Sequence, residues 1–333
     1  MKITVLLGGA SSERDVSMAS GLRIADALRE KRHEVVLVDP AKGAIDPVAE
    51  RAVRERGVKT TPPSLEELRS FNGGTILPTL TQMPEVTGAD VVFLALHGGQ
   101  GEDGTLQAML DMAKIRYTGS GHLASALAMD KDLSKILFQA AGVGTPDWLM
   151  APATKEEIVE RMGLPVVVKP SKQGSTVGLA VVKQAGELAA AIDEAFLYDD
   201  EVMIEEFIPG RELTVGIIGD EALPVGEIIP KHEIYDYECK YTTGMAVEVF
   251  PADIPAAVAD DARRQAKAAF RALKLGGYAR IDFRMAADGS LYCLEANTLP
   301  GMTELSLIPQ AAAAEGIPFP DFCERIVLLA AGT

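Results

Sequence analysis

At 333 residues the chain exceeds what one hydrophobic core usually serves, so two or more domains are expected. Acidic residues (48) outnumber basic ones (32), and a net charge of −16 argues against nucleic acid or an anionic membrane surface as partner. Cys239, Cys293 and Cys323 form no Cys-x-x-Cys pair, the first apolar run, ITVLL, is too short for a signal-peptide core, and no segment approaches the ~18 apolar residues of a membrane span, so the expectation is a soluble, cytoplasmic protein with a small-molecule partner.

Taken in chain order, Ile3 to Leu7 reads as a strand, Gly8-Gly9 as a turn, 16–32 as a helix carrying Ala19, Leu22, Ala25 and Leu28 on one face, and Val35 to Val38 as a second strand. A further apolar run, VVFLAL at 91–96, enters the glycine-rich HGGQGEDG and then a helical stretch, TLQAMLDMA. Residues 1–120 are therefore expected to form an open parallel, Rossmann-like α/β domain. Segment 40–88, with Pro62, Pro63, Pro78 and Pro84, is poorly periodic and receives no role. Gly99-x-Gly101-x-x-Gly104 spells a dinucleotide fingerprint, but Glu102 and Asp103 would repel a pyrophosphate and no acid ~20 residues on is placed to hold a ribose. Its glycines are read instead as permitting close backbone approach to a substrate.

Beyond Gly121 the pattern changes to helices near 123–141, strand PVVVKP, glycine loop SKQGSTVG, strand LAVV, a helix at 185–198 and strand EVMIEEFI, a compact α+β unit over 121–208. Residues 209–333 are sheet-rich to about Phe250, then give a helix at 255–274, a hairpin at 278–297 and two short helices. No Gly-Lys dipeptide occurs, which excludes a Walker A loop. KPSKQGSTVG offers another phosphate cradle: Gly174 and Gly178 free the loop, Ser175 and Thr176 bring hydroxyls, and Lys169 brings a point charge; the same residues also suit an ordinary glycine-turn hairpin. Lys131 is either a second phosphate ligand or a solvated helix lysine. The run Glu205 to Ile208 is either an edge strand or an adenine platform with Phe207 against the ring.

In the hairpin, Asp288-Gly289 is a two-residue turn signal. That register sets Asp282 opposite Glu295 and Arg280 opposite Asn297 on one face, and leaves Ile281, Phe283, Met285, Tyr292, Leu294 and Ala296 as the core face. Facing carboxylates need a cation between them. Either Mg²⁺, suited to the hard oxygens of Asp, Glu and Asn, or Arg280 itself supplies it.

The segments LLGGASSERDVS, ALHGGQGEDGTLQ, YTGSG, AMDK, VVVKPSKQGSTVG, YDYECKY, RIDF and LEANTLPGM resemble, in order and over nearly the whole chain, the D-alanine:D-alanine ligases of the ATP-grasp superfamily; 40–88 falls outside the match. The resemblance implies an ATP-grasp fold with a substrate-binding N-terminal domain (1–120), a central subdomain (121–208) and a C-terminal subdomain (209–333) holding the metal and catalytic site. It implies an ATP-dependent ligation of two D-alanines through an acyl phosphate, for peptidoglycan precursor synthesis, by a homodimer using two Mg²⁺ ions or Mn²⁺ in their place. Lys131 and Lys169 would meet the phosphates, with Lys240 beside them; Glu205, Phe207, Ile208 and Leu294 would meet the adenine, and Glu212 the ribose. Asp282 and Glu295 would hold one metal ion, Glu295 and Asn297 the other. Glu13 would receive the first substrate's ammonium, His97 would lie near its carboxylate, and Ser306 would hold the second substrate's carboxylate. Arg280 and the Gly301 amide would stabilise the oxyanion, while Ser175, Lys240 and Tyr241 belong to loops (172–178 and 232–245) that would close over the site. A different acceptor, D-lactate or D-serine, and an ATP-binding module without turnover are the alternatives.

Overall fold

The computed structural model describes residues 1–11, 13–56, 76–174, 176–232, 234–235, 239–240, 242 and 244–332. The chain opens with β1 (Lys2–Leu6), α1 (Arg14–Glu30), β2 (Glu34–Asp39), β3 (Gly43–Ala44), α2 (Pro47–Arg56), α3 (Pro84–Thr87), β4 (Val91–Leu94) and α4 (Thr105–Met112). β1 pairs in parallel with both β2 and β4, giving the order β3-β2-β1-β4. Residues 3–6 of β1 are buried, so both faces of the strand are covered, as a strand between helical layers requires. The unassigned segment 40–88 supplies β3, α2 and α3, and its residues 57–75 lie outside the described ones.

The helices expected near 123–141 are α5 (His122–Met129) and α6 (Lys131–Ala140). They break at Asp130, which takes extended backbone and whose Oδ1 accepts the Leu133 amide at 3.0 Å. Competition from an N-cap side chain thus wins over continuous helical periodicity. The break has a use, since it makes Lys131 the first residue of a new helix.

Next come β5 (Trp148–Met150), α7 (Lys155–Met162), β6 (Val166–Pro170), β7 (Ala180–Val182), α8 (Leu188–Ala195) and β8 (Val202–Glu206), with the four strands antiparallel in the order β5-β8-β6-β7. β8 is interior, which removes the edge-strand reading of Glu205. The last part holds β9 (Arg211–Ile218), β10 (Glu221–Ala222), β11 (Gly226–Pro230), β12 (Ala246–Val249), α9 (Ala256–Ala272), β13 (Tyr278–Met285), β14 (Leu291–Asn297), α10 (Leu307–Ala314) and α11 (Phe319–Ala331). Its sheet runs β12-β11-β9-β13-β14, with β10 on β9.

The β13–β14 hairpin departs from the expected register in two places that compensate. Ala286 N–H donates to Ser290 and Gly289 N–H donates back to Ala286, with Gly289 at φ +87°, so the turn has three residues and not two. This shift pairs Phe283 with Cys293 and Met285 with Leu291. A bulge between Asp282 and Phe283 then absorbs Leu294 as an extra residue and restores Asp282 opposite Glu295 and Arg280 opposite Asn297. In consequence Leu291 and Cys293 occupy the core where Tyr292 and Leu294 were expected, and Leu294 lines a cleft.

One hydrophobic core joins the first sheet to the end of the chain: Ile3, Leu6, Leu28 and Phe93 share it with Leu299, Met302, Ile308, Phe322 and Ile326. A second underlies β9, β13, β14 and α9, and a third fills the β6–β8 unit.

Candidate active site

Two adjoining clefts share Lys131, Gln173, Gly174, Tyr235, Lys240, Arg280 and Glu295.

The first is lined by Glu13, His97, Gly301 and Ser306. Glu13 stands at the N-cap position of α1 without a side-chain cap bond, and it is buried. His97 is buried, and burial lowers its pKa against the opposing field of Glu13. A neutral ring fits its partners: Nδ1 lies 2.8 Å from Leu299 O and donates to it, and Nε2, 3.1 Å from Ser20 Oγ, accepts. Ser20 Oγ in turn accepts the Met302 amide at 3.1 Å. Glu102, absent from the predicted set, accepts the Gly98 amide at 2.9 Å and the Leu299 amide at 3.1 Å; burial raises its pKa to about 7. Its place inside the GxGxxG spelling, after two glycines of positive φ, was the available signal.

Gly301 has no room for a side chain, because a Cβ there would stand 2.7 Å from Ser306 Oγ. Ser306 occupies the N-cap position of α10 but makes no capping bond; its hydroxyl accepts the Thr303 amide at 2.9 Å instead, so helix capping is not its role.

The second cleft lies between β6, β8 and the β13–β14 hairpin and takes in Lys131, Lys169, Glu205, Phe207, Ile208, Glu212, Lys240 and Leu294. Lys169 contacts Glu205 at 2.6 Å, and Lys135, fully buried, holds the other oxygen of the same carboxylate at 2.5 Å. The sequence reading missed Lys135, although its i,i+4 spacing from Lys131 places both on one helix face. Lys131 donates to Gln173 O at 2.8 Å and lies 3.3 Å from Glu295 Oε2. Arg284, also missed, donates to Ile208 O at 3.1 Å, lies 3.4 Å from Glu212 and stands over the Phe207 ring. Lys240 lies 5.6 Å from the centroid of the Tyr235 ring and lines both clefts. Ser175 and Tyr241 lie outside the described residues.

Between the clefts stands the acidic sheet face. Arg280 makes a two-pronged contact with Asp282 at 2.8 to 3.2 Å, Thr214 donates to Asp282 at 2.7 Å, and the Asn297 amide lies 2.9 Å from Asp282 and 3.5 Å from Glu295. Arg280 therefore neutralises Asp282 but leaves Glu295 to the lysines. Burial alone would raise the Glu295 pKa; Lys131, Lys240, Lys169 and Arg280 outweigh it and hold it down to about 2. Among the described residues no three His, Cys, Asp or Glu side chains converge, so the protein alone does not close a metal's coordination sphere. Two carboxylates and a carboxamide facing a cationic cleft fit Mg²⁺ whose remaining ligands are phosphate oxygens.

Two outcomes follow from these charges. Lys135→Met should lower stability by about 3 kcal/mol, since it strips one partner from a buried ion cluster. It should also raise the KM for ATP, because Lys169 then remains the only cation on Glu205; urea unfolding and ATP titration check both. Glu212, which burial raises to about 7 against the pull of Arg284, holds its proton longer folded than unfolded. Its contribution to stability therefore declines as pH climbs from about 4.5 to about 7. If Glu212 accepts from a ribose hydroxyl, as the resemblance implies, the ATP KM should rise below pH 7, and Glu212→Gln should flatten that profile.

A lysine-lined cleft opening on a polar second cleft across an acidic sheet face is the arrangement that the resemblance to the ATP-grasp ligases implies. The profile described as "D-ala D-ala ligase N-terminus" matches residues 2–120 and that described as "D-ala D-ala ligase C-terminus" matches 134–328. The chain belongs to the D-alanine–D-alanine ligase family. Curated relatives named D-alanine–D-alanine ligase include those of Geotalea uraniireducens (43% identical, covering 99% of this chain and 96% of the relative) and Geobacter sulfurreducens (41%, 99% and 94%). Among solved structures, the Bacillus anthracis D-alanine–D-alanine ligase complexed with ATP matches with a TM-score of 0.75 at 30% identity, covering 99% of this chain and 96% of that one. The Coxiella burnetii enzyme matches at 0.80 and 29%, covering 99% and 93%.

Proposed function

We propose that the chain joins two D-alanines into D-alanyl-D-alanine with ATP, forming an acyl phosphate first, and so supplies a peptidoglycan precursor. The observation that carries this reading is the junction of the two clefts at Lys131, Arg280 and Glu295, which brings a nucleotide's terminal phosphate to a carboxylate held in the first cleft. Asp282 and Glu295 would hold one Mg²⁺ and Glu295 with Asn297 the other; bound there, the metal neutralises the phosphate charge that builds during transfer. Lys131 and Lys169 orient the phosphates, the latter after leaving Glu205 to Lys135. Glu13 receives the first substrate's ammonium and neutral His97 lies beside its carboxylate.

In the second step the amine nitrogen of the other D-alanine forms a bond to the acyl carbon, the carbon–oxygen bond to phosphate breaks, and the amine gives up a proton. Arg280 and the Gly301 amide face the oxygen that carries the transient negative charge, and Ser306 holds the acceptor's carboxylate. Lys240, which lines both clefts, would help keep water from the acyl phosphate. The domain division at 120 and 208, a homodimeric assembly and a cytoplasmic location belong to the same reading; three buried cysteines are compatible with the last.

Product analysis with D-alanine and D-lactate side by side at pH 7.5 tests the reading. Dipeptide is expected in clear excess over depsipeptide. Comparable yields of both would overturn the acceptor assignment, and ATP-independent silence with both would overturn the ligase reading.

A further inference from the structure

The loop that follows β14 is gripped from behind by α1. Arg23 Nη1 donates to Met302 O at 3.0 Å and to Thr303 O at 2.6 Å, while its guanidinium lies 3.8 Å from the centre of the Phe319 ring. Arg23 lines neither cleft, yet Gly301, Thr303 and Ser306, on the same loop, line the first. Because a trans peptide is planar, holding the Met302 carbonyl toward Arg23 turns the Thr303 amide the opposite way, and that amide is the one that meets Ser306 Oγ at 2.9 Å. The Thr303 carbonyl is shared between Arg23 and the Ser306 amide at 3.2 Å, which closes a turn at the entry to α10. Held this way, the Thr303 amide is committed to Ser306 Oγ, and together with the Ser306 amide on the Thr303 carbonyl it fixes that hydroxyl at the first cleft.

We infer that Arg23 is a positioning residue for the acceptor half of the reaction: by fixing the Met302 and Thr303 carbonyls it sets where Ser306 receives the second substrate's carboxylate. This rests on the reading of the first cleft given above. Arg23 does not touch the nucleotide cleft or Glu13, so acyl phosphate formation should be indifferent to it.

The test compares wild type with Arg23→Met, which keeps an apolar stem against Phe319 and removes the donors, and with Arg23→Lys, which returns one donor. Two readouts are needed: positional isotope exchange in ATP labelled with ¹⁸O at the β–γ bridge, which reports acyl phosphate formation, and the dependence of dipeptide formation on D-alanine concentration. For Arg23→Met we expect exchange and the ATP KM to match wild type, and the D-alanine requirement for dipeptide formation to rise roughly tenfold with kcat at saturation little changed. Arg23→Lys should fall between. Unchanged D-alanine saturation in Arg23→Met, or exchange and ligation lost in equal proportion, overturns the inference. If Arg23→Met does not fold, Arg23→Lys decides: a saturation curve equal to wild type overturns it. A wild type that makes no dipeptide at all refutes the ligase reading instead.

Discussion

Glu295→Gln is expected to reduce ligation by roughly 10³-fold or more, with a folded protein and a Tm lower by ~5 °C at most. The substitution keeps the shape and removes the charge. Glu295 faces Lys131, Lys240, Lys169 and Arg280, and their field holds its carboxyl down to about 2 despite burial. It is therefore ionised at every working pH, and it is the one carboxylate assigned to both metal ions. The sign of its stability contribution follows from the depressed pKa: the stabilisation is fully present above about 4.5 and is lost as pH falls toward about 2. The variant should thus lose its small Tm deficit relative to wild type in strong acid. A near-normal kcat with saturating Mg²⁺, measured by ADP release coupled to dipeptide analysis, contradicts the bridging role.

Arg280→Lys is expected to lower kcat for dipeptide formation about 10²-fold. Arg280 is partly buried, grips Asp282 with two nitrogens, and still borders both clefts. An ammonium offers one point of charge and cannot hold Asp282 in two places while facing a reacting oxygen. Since the oxyanion develops when the amine attacks, exchange of the β–γ bridge oxygen with the β-nonbridging oxygens of ATP should survive better than ligation. Equal losses in both measurements would mean that Arg280 serves only to hold Asp282.

The fold was legible where periodicity is strong and local. α1, β1, β2 and α9 lie within two or three residues of their expected bounds because their apolar spacing has one interpretation. The Asp282–Glu295 pairing was also anticipated, but through two errors that cancel: a two-residue turn was read where three residues form it, and the bulge at Leu294 was not seen. Bulges carry no residue signature when the extra side chain is apolar, so a register inferred from a turn alone holds only by such compensation. The nucleotide cleft was legible through its glycines and Lys169, whereas Lys135 and Arg284 were not. Each acts on a partner distant in sequence, Glu205 and Ile208, and a lysine or arginine read singly looks solvated. Ser306 shows the converse, since its position predicts a cap and its hydroxyl points elsewhere.

The apolar core shared by the first sheet and the last helix sets the order in which the molecule can be completed during synthesis. Phe322, Ile326 and Val327 of α11 are fully buried in the cluster that holds Ile3, Leu6 and Phe93, and α11 packs along α1. A nascent chain emerging from the ribosome has β1, α1, β2 and β4 outside long before α11 leaves the exit tunnel. Until then a face of α1 that the finished enzyme never shows to water stays uncovered, and sticky. The β6–β8 unit, whose core draws on residues 149–204 alone, has no such wait. The middle of the chain can therefore settle before the beginning does, and chaperone dependence should track the release of the last thirteen-residue helix, not the appearance of the first sheet.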